Sequence, residues 1–490
     1  MAAEALWAAG VPTDLLQVVR TEENEVGQAL VSHAGVDTVV LTGATATAEL
    51  FQSWRADRPR GARVYGETSG KNALVITPSA DYDLAVADLV RSAFGHAGQK
   101  CSAASLGILV GSVADSDRFR NQLVDAVRSL RVGWPTDLSV GMGPLIEPPS
   151  EKLERALTTL EPGESWLVEP RRLDEAGRLW SPGVKTGVAP GSWFHTTEVF
   201  GPVLGLMHAR SLDEAIEWQN ATGYGLTGGL HSLDEREIEH WQERVEVGNA
   251  YVNRHITGAI VQRQSFGGWK SSSVGPGAKA GGPNYVAQLG TWYEDGIPQF
   301  RSSIQPAMQR LVARLVEQVG GLSADDRAWL EVALGSDAAS WGAEFGIGHD
   351  ASGLRVERNE FRYRPFPRAW IRLQAGARTA DLLRLLAAAR LAHCSVQVSA
   401  DPSVQLPGVV GGSTVSHETP EQFARRMASD RDVRVRVVGD PAGLGIANPT
   451  VGLLTGPVLA TGRRELLGFL REQSISQTLH RFGHMPPAGR

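Results

Sequence analysis

Cys101 stands in the segment G-H-A-G-Q-K-C-S-A, after a long amphipathic stretch and before an apolar run. Glycine, glutamine, lysine and serine are poor core neighbours, and Lys100 adjoins the thiol. That is the partly open, electropositive setting in which a cysteine becomes nucleophilic. A free cysteine is more often inert packing, which is the reading for Cys394 inside the apolar L-A-H-C-S-V-Q-V. Two carboxylates deserve weighing with Cys101. Glu67 ends a strand in V-Y-G-E-T-S-G-K-N, and Glu198 enters T-E-V-F-G-P-V-L ahead of Phe200 and a Gly-Pro turn. A thiol can hold an acyl group covalently, and a nearby carboxylate can activate the water that releases it. Taken singly, each residue also has an ordinary reading as a packed thiol or a solvated turn carboxylate.

The elements that would position them alternate between helix and strand. Glu4–Ala9 reads as a helix end stopped by Gly10 and Pro12, Leu15–Val19 as a short strand, and Glu23–His33 as a helix. Val36–Leu41 is a buried-strand run, followed by Thr42-Gly43 and a helix through Glu49–Arg55. Repeats of this size imply a parallel sheet with crossover helices. The pattern continues with strands at Asn72–Ile76, Leu106–Val110 and Gly248–Asn253. Helices are expected at Tyr82–Ala97, Asp117–Leu130, Ser150–Leu160, Leu212–Thr222 and Glu235–Val245. Phe266–Pro283 is too rich in glycine for a packed element, and Tyr285–Trp292 alternates like a strand. Asp, Gly, Pro and Ser between Glu294 and Pro306 mark a domain boundary. Beyond it, helices at Leu311–Val319, Ala324–Leu334, Ala380–Leu391 and Pro420–Ala428 alternate with strands at Trp370–Leu373, Ser395–Ser399 and Val433–Val438.

At 490 residues the chain has room for two to four domains of roughly 100–200 residues. A formal net charge of −6 gives no footprint for nucleic acid or an anionic membrane surface, and no apolar run is long enough for a transmembrane helix. Two cysteines cannot build a disulfide framework or a cysteine-rich metal site, which points to a reducing compartment such as the cytoplasm. Basic residues are mostly arginine, and no lysine follows Lys279.

Order and spacing add what single residues do not. Glu67 in G-E-T-S-G-K-N, Cys101 in G-Q-K-C 34 residues later, Glu198 in E-V-F-G-P and Phe266 in S-F-G-G together resemble the aldehyde dehydrogenase superfamily. The resemblance runs from Met1 to about Trp292. Finer features resemble its L-glutamate γ-semialdehyde (Δ1-pyrroline-5-carboxylate) dehydrogenase branch, especially the dehydrogenase module of bifunctional proline utilization A. They are Q-K-C-S-A-A, N-R-H-I-T-G-A-I-V-Q-R-Q-S-F-G-G-W-K and G-P-G-A-K-A-G-G-P-N-Y. R-N-E-F-R-Y-R-P and the closing L-R-E-Q-S-I-S-Q-T-L-H-R-F-G are similar to the extra C-terminal domain of the longer members.

The resemblance implies an α/β protein of the aldehyde dehydrogenase fold, using NAD to oxidise an aldehyde at Cys101. Cys101 would attack the carbonyl carbon, and its backbone N–H would help hold the oxyanion. Glu67 would activate water against the thioester. Thr42, Gly43, Glu198 and Phe200 would meet the cofactor. Ser102 and the Thr257-Gly258-Ala259 segment would hold the substrate α-carboxylate, with Phe94 and Phe266 walling its stem. Taken by itself, Phe94 at helical spacing also reads as core, and His96 as a helix-end residue.

The expected organisation is the C-terminal part of a cofactor domain over residues 1–66 and a catalytic domain over 67–283. An oligomerisation strand and linker would follow over 284–300, then a non-catalytic C-terminal α/β domain over 301–490. By resemblance, an oxyanion-hole asparagine, an adenosine-gripping lysine, early cofactor-domain strands and a flavin-dependent proline dehydrogenase barrel lie upstream of Met1, so Met1 reads as an internal start. A proline dehydrogenase module is therefore expected upstream or as partner, and a homo-oligomer in the full-length form. Ser265 replaces a proline common in relatives. Two readings stand: a glutamate-semialdehyde dehydrogenase module, or an assembly module that keeps Cys101 and binds no NAD.

Overall fold

The computed structural model describes residues 1–21, 25–54, 63–446, 448 and 450–481. The start of the expected 23–33 helix and Arg55 therefore lie outside the described residues.

Asn72–Ile76 (N-A-L-V-I) is buried along its whole length. A strand of continuous apolar residues suits the middle of a parallel sheet covered on both faces, and it runs there. Among the described residues nine strands form the main sheet, in the order Glu357–Pro365, Leu470–Thr478, Asn249–Val252, Thr227–His231, Asn72–Ile76, Ala104–Val110, Val203–Ala209, Gly183–Thr186, Ser165–Val168. The inner pairings are parallel, and the two outermost are antiparallel. Leu74, Leu89, Leu106, Ile108, Phe119 and Trp241 belong to the core between this sheet and its helices. The helix Tyr82–Phe94 begins where the Asp81 carboxylate accepts from the backbone N–H groups of Asp83 and Leu84. It stops short of the expected Ala97, because His96 and Ala97 take left-handed φ values of 57° and 54°. That break lets the chain turn toward Cys101.

A small sheet of Thr38–Thr42, Arg63–Glu67 and Ser273–Val274 carries Glu67 on its central strand. The glycine-dense 266–283 stretch is thus not featureless. It contributes this strand and Trp269–Lys270, which pairs with Tyr224–Gly225. Two expected strands are absent. Leu15–Val19 forms no ladder and leaves Leu15, Val18 and Val19 exposed, with Trp7 Nε1 donating to Leu16 O at 3.0 Å. Tyr285–Trp292 contains instead a 3₁₀ turn at Val286–Leu289. In both, an apolar or alternating pattern without an adjacent edge to complete the hydrogen bonds does not make a strand.

Beyond residue 300, the helices Pro306–Val319, Ala324–Ser340 and Thr379–Leu391 pack on a second sheet. Its parallel strands lie in the order Ser413–His417, Ser395–Ala400, Arg368–Leu373, Val433–Val438, Val451–Leu454. This is the 3-2-1-4-5 order of a doubly wound nucleotide-binding sheet. Cys394 is buried in its core, as its apolar setting suggested. Two strands of this region leave it. Glu357–Pro365 and Leu470–Thr478 extend the main sheet, the second inserted against Asn249–Val252. The expected boundary at 300 is therefore crossed by continuous β-structure.

Arg384 is fully buried and donates to Asp337 at 2.6 and 2.8 Å. Removing one partner strands the other charge in the core. Asp337→Ala should cost about 3–5 kcal/mol in urea unfolding, and adding Arg384→Met should recover much of that loss.

Candidate active site

Glu67 lies opposite Thr42 on one side and Ser273 on the other. Its carbonyl accepts from the Gly43 N–H at 3.2 Å, which places the Thr42-Gly43 turn beside it at the carboxyl end of a parallel strand. Its Oε2 accepts from the Gly268 N–H at 3.0 Å. Burial pushes the carboxyl up to about 8, against the pull of the Lys279 charge and the Gly268 N–H, while Glu472 pushes further up. A carboxylic acid in such a setting titrates close to neutral pH, as a general base requires.

Cys101 is half-buried. Burial raises its thiol above the ordinary value, Lys100 and the Ser102 N–H oppose this, and the charges of Glu67 and Glu198 add to it. The sulfur thus senses both carboxylates singled out by sequence. Its loop is held from three directions. Asn72 Nδ2 donates to the Cys101 carbonyl at 2.8 Å and to that of Ala103 at 2.9 Å, while Asn72 Oδ1 accepts from the Thr227 N–H at 3.0 Å. Gly98, at φ 69°, backs directly on the E-V-F-G-P turn, where a Cβ would stand 2.2 Å from the Gly201 carbonyl oxygen. Only glycine permits both that conformation and that approach. Lys100 Nζ donates to the Thr257 carbonyl at 2.5 Å, tying the thiol loop to the Thr257-Gly258-Ala259 segment.

The other expected residues distribute unequally. Glu198 Oε1 accepts from the Gly70 N–H at 2.8 Å, so this carboxylate reaches the loop between Glu67 and Asn72. Phe200 is 40% exposed, at a left-handed φ of 53°. Ser102 is buried, with its carbonyl accepting from Thr227 Oγ1 at 3.3 Å. Thr257 and Gly258 are half-buried and Ala259 is exposed. Phe266 is half-buried and exchanges two backbone hydrogen bonds with Ala280. Phe94 is a correction to the expected substrate wall: at 1% exposure it is part of the main core, because the helix stripe that carries it faces the sheet. His96 is exposed at the helix end, as expected.

Sequence reasoning passed over Asn72, Lys71, Lys279 and Glu472. A visible signal for Asn72 is an amide placed directly ahead of the buried run A-L-V-I. Lys71 donates to Ser105 Oγ at 2.6 Å and stacks over the Phe194 ring at 4.0 Å. Burial pulls it down to about 7, against the charge of Glu198.

Glu198 is thus tied to Gly70, which packs against the Cys101 carbonyl, and Glu67 stands beside the exposed Thr42-Gly43 turn. A profile of the aldehyde dehydrogenase family matches residues 1–290, and the chain belongs to that family. It is 37% identical over 291 residues to the 1-pyrroline-5-carboxylate dehydrogenase of Geobacillus sp. (strain WCH70), covering 58% of this chain and 55% of that protein. It is 35% identical over 290 residues to the Bacillus subtilis protein of the same name, with the same coverage. Among solved structures it is similar to proline utilization A from Corynebacterium freiburgense, with 50% identity and a TM-score of 0.84 over 99% of this chain and 46% of that one. A Thermus 1-pyrroline-5-carboxylate dehydrogenase with bound NAD superposes on 59% of this chain and 55% of its own, with 33% identity and a TM-score of 0.53. The chain thus spans about half the length of the relatives it matches. Among the described residues no helix is long and apolar enough to cross a membrane.

Asn72→Leu should leave buried carbonyls unpaired, at about 1–3 kcal/mol each. It should also slow Cys101 acylation by p-nitrophenyl acetate about tenfold or more, because a misplaced nucleophile loses its oriented approach. Burst amplitude and stopped-flow rate check this.

Proposed function

We propose that this chain carries the dehydrogenase chemistry that oxidises L-glutamate γ-semialdehyde to L-glutamate with NAD, the second step of proline breakdown, in the cytoplasm. The observation that carries the reading is the convergence on the Cys101 loop of Asn72, of Glu198 through Gly70, and of Lys100 through Thr257. The cofactor suits the residues present. Thr42 and Gly43 lie exposed at a strand's carboxyl end before the helix Thr45–Ser53, the usual place for a dinucleotide. Glu198 spends Oε1 on Gly70, leaving Oε2 for a ribose hydroxyl, and Phe200 is open enough to meet a ring.

Cys101 adds to the aldehyde carbon, and its proton must leave for solvent or a nearby base. The resulting oxyanion is held by the Cys101 backbone N–H. NAD, when bound, would supply the hydride acceptor for this oxidation, and Cys101 would keep the acyl group on its sulfur. Glu67 then takes a proton from water as the water attacks that thioester, and the thiol is released with glutamate. The substrate α-carboxylate is assigned to Ser102 and the backbone amides of Thr257–Ala259, since successive N–H donors suit an anion. Phe266 borders the aliphatic stem.

Similarity to proline utilization A over nearly the whole chain supports a proline dehydrogenase module as partner or upstream neighbour. Exposed Val286, Trp292, Tyr293, Ile297 and Phe300 support self-association through residues 284–300. The alternative, an assembly module without NAD, is favoured by Val40 and Leu50, exposed apolar side chains on the elements flanking the cofactor turn.

NADH formation with glutamate semialdehyde, measured on this chain and on one extended upstream, separates the two. Production by either supports the enzyme, and failure of both overturns it. Because Glu67 serves as base only after losing its proton, hydrolysis of acyl-Cys101 should rise with pH through about 8. Glu67→Gln should remove that rise and slow release about 10²–10⁴-fold, while Cys101→Ala should abolish acylation.

A further inference from the structure

The peptide unit joining Gly267 to Gly268 lies between two charged groups. Its N–H, on Gly268, donates to Glu67 Oε2 at 3.0 Å, and its carbonyl, on Gly267, accepts from Lys279 Nζ. The fit is close: a Cβ on Gly267 would stand 2.8 Å from Glu67 Oε1 and 3.2 Å from Lys279 Cγ. Lys279 is 1% exposed, and its ammonium also donates to Asn249 Oδ1 at 2.9 Å. An ammonium on the carbonyl polarises the amide and strengthens the hydrogen bond made by the N–H at its other end.

Lys279 is itself fastened from the C-terminal region. Its backbone N–H donates to Glu472 Oε2 at 2.7 Å, and Glu472 Oε1 accepts from Asn284 Nδ2 at 2.7 Å. Glu472 lies on the inserted strand Leu470–Thr478, whose backbone also receives Trp269 Nε1 at 2.8 Å. Its carboxylate is buried and makes no ion pair with the Lys279 ammonium. The charges that act on Glu67 are then Lys279 and Glu472, of opposite sign, and Glu67 in turn acts on Cys101. The flanking strands present only Thr42 and Ser273 opposite it. Glu472 in turn feels Lys279 and Arg434.

We propose that Lys279 and Glu472 are positioning residues that set the proton affinity of the catalytic carboxylate, Lys279 through the Gly267–Gly268 peptide and Glu472 from the C-terminal strand. The assignment rests on Glu67 being the base. It gives residues 470–478 a part in the chemistry besides completing the sheet.

The test is a pH titration of the Glu67 carboxyl by difference infrared spectroscopy on the full chain, the band being identified by its loss in Glu67→Gln. Lys279→Met should raise the Glu67 midpoint by about one pH unit or more, as expected on losing an opposite charge nearby. Lys279→Gln, which keeps a donor without the charge, should do the same if the methionine variant fails to fold. Lys279→Arg should restore most of the wild-type value. Glu472→Gln should move the midpoint down. Shifts of opposite sign are the signature, since general loosening of the site would move both variants the same way. An unchanged midpoint in folded Lys279→Gln, or a shift of the same sign in Glu472→Gln, overturns the proposal. The titration needs no turnover. Opposite shifts accompanied by unaltered acyl-enzyme hydrolysis in Glu67→Gln would instead sink the base assignment and leave the electrostatic linkage standing.

Discussion

One side-chain amide holds together the three segments on which the site depends. Asn72, at the mouth of the central strand, gives its two N–H bonds to the carbonyls of Cys101 and Ala103 and takes one from Thr227 on the neighbouring strand. It is buried, so each of these bonds replaces water that cannot enter. The thiol loop is therefore registered to the sheet rather than merely connected to it. Gly98 fixes the same loop against the Glu198 turn by close backbone contact, and Lys100 fixes it to the Thr257 carbonyl. With three anchors in different directions, the position of the sulfur follows from the sheet's own geometry. A rigid scaffold holding reactive groups on loops is the usual solution to such a demand.

Burial then governs the electrostatics of the site. Glu67 and Cys101 are both driven toward their neutral forms, while Lys71 and Lys279 are driven toward theirs. Burial thus brings Glu67, Lys71 and Lys279 within reach of neutral pH, whereas it carries the Cys101 thiol away from it. The same burial makes backbone donors such as the Gly268 and Gly70 N–H groups more effective than they would be in water.

The reach of the sequence differed between elements for physical reasons. Asn72–Ile76 and Val433–Val438 were legible to the residue, the first because a buried parallel strand leaves an apolar run and the second because its β-branched valines recur at every other position. Most helices were legible to within a turn, but Pro306–Val319 begins five residues before its expected start, Ala324–Ser340 runs six beyond its expected end, and His96 and Ala97 impose a backbone conformation that side-chain patterns do not encode. Leu15–Val19 and Tyr285–Trp292 misled because an apolar run or an alternation describes a strand's faces and says nothing about its partner. Motifs located Cys101, Glu67 and Glu198, but the Asn72 clamp and the Lys279–Glu472 pair depend on contacts between residues far apart in the chain. Phe94 shows the converse error, an aromatic near the thiol in sequence whose side chain faces the core.

The inserted strand Leu470–Thr478 pairs in parallel with Asn249–Val252, some two hundred residues earlier, and antiparallel with Glu357–Pro365. Pairings of such separation are slow to form, because the entropy of closing the intervening loop must be met before contacts repay it. A chain still on the ribosome, with residue 478 not yet translated, holds Asn249–Val252 as an open sheet edge and has nothing to complete it. Completion of the main sheet thus waits for residues 470–478 to be made, and until they dock the Asn249–Val252 edge is open to pairing with other chains.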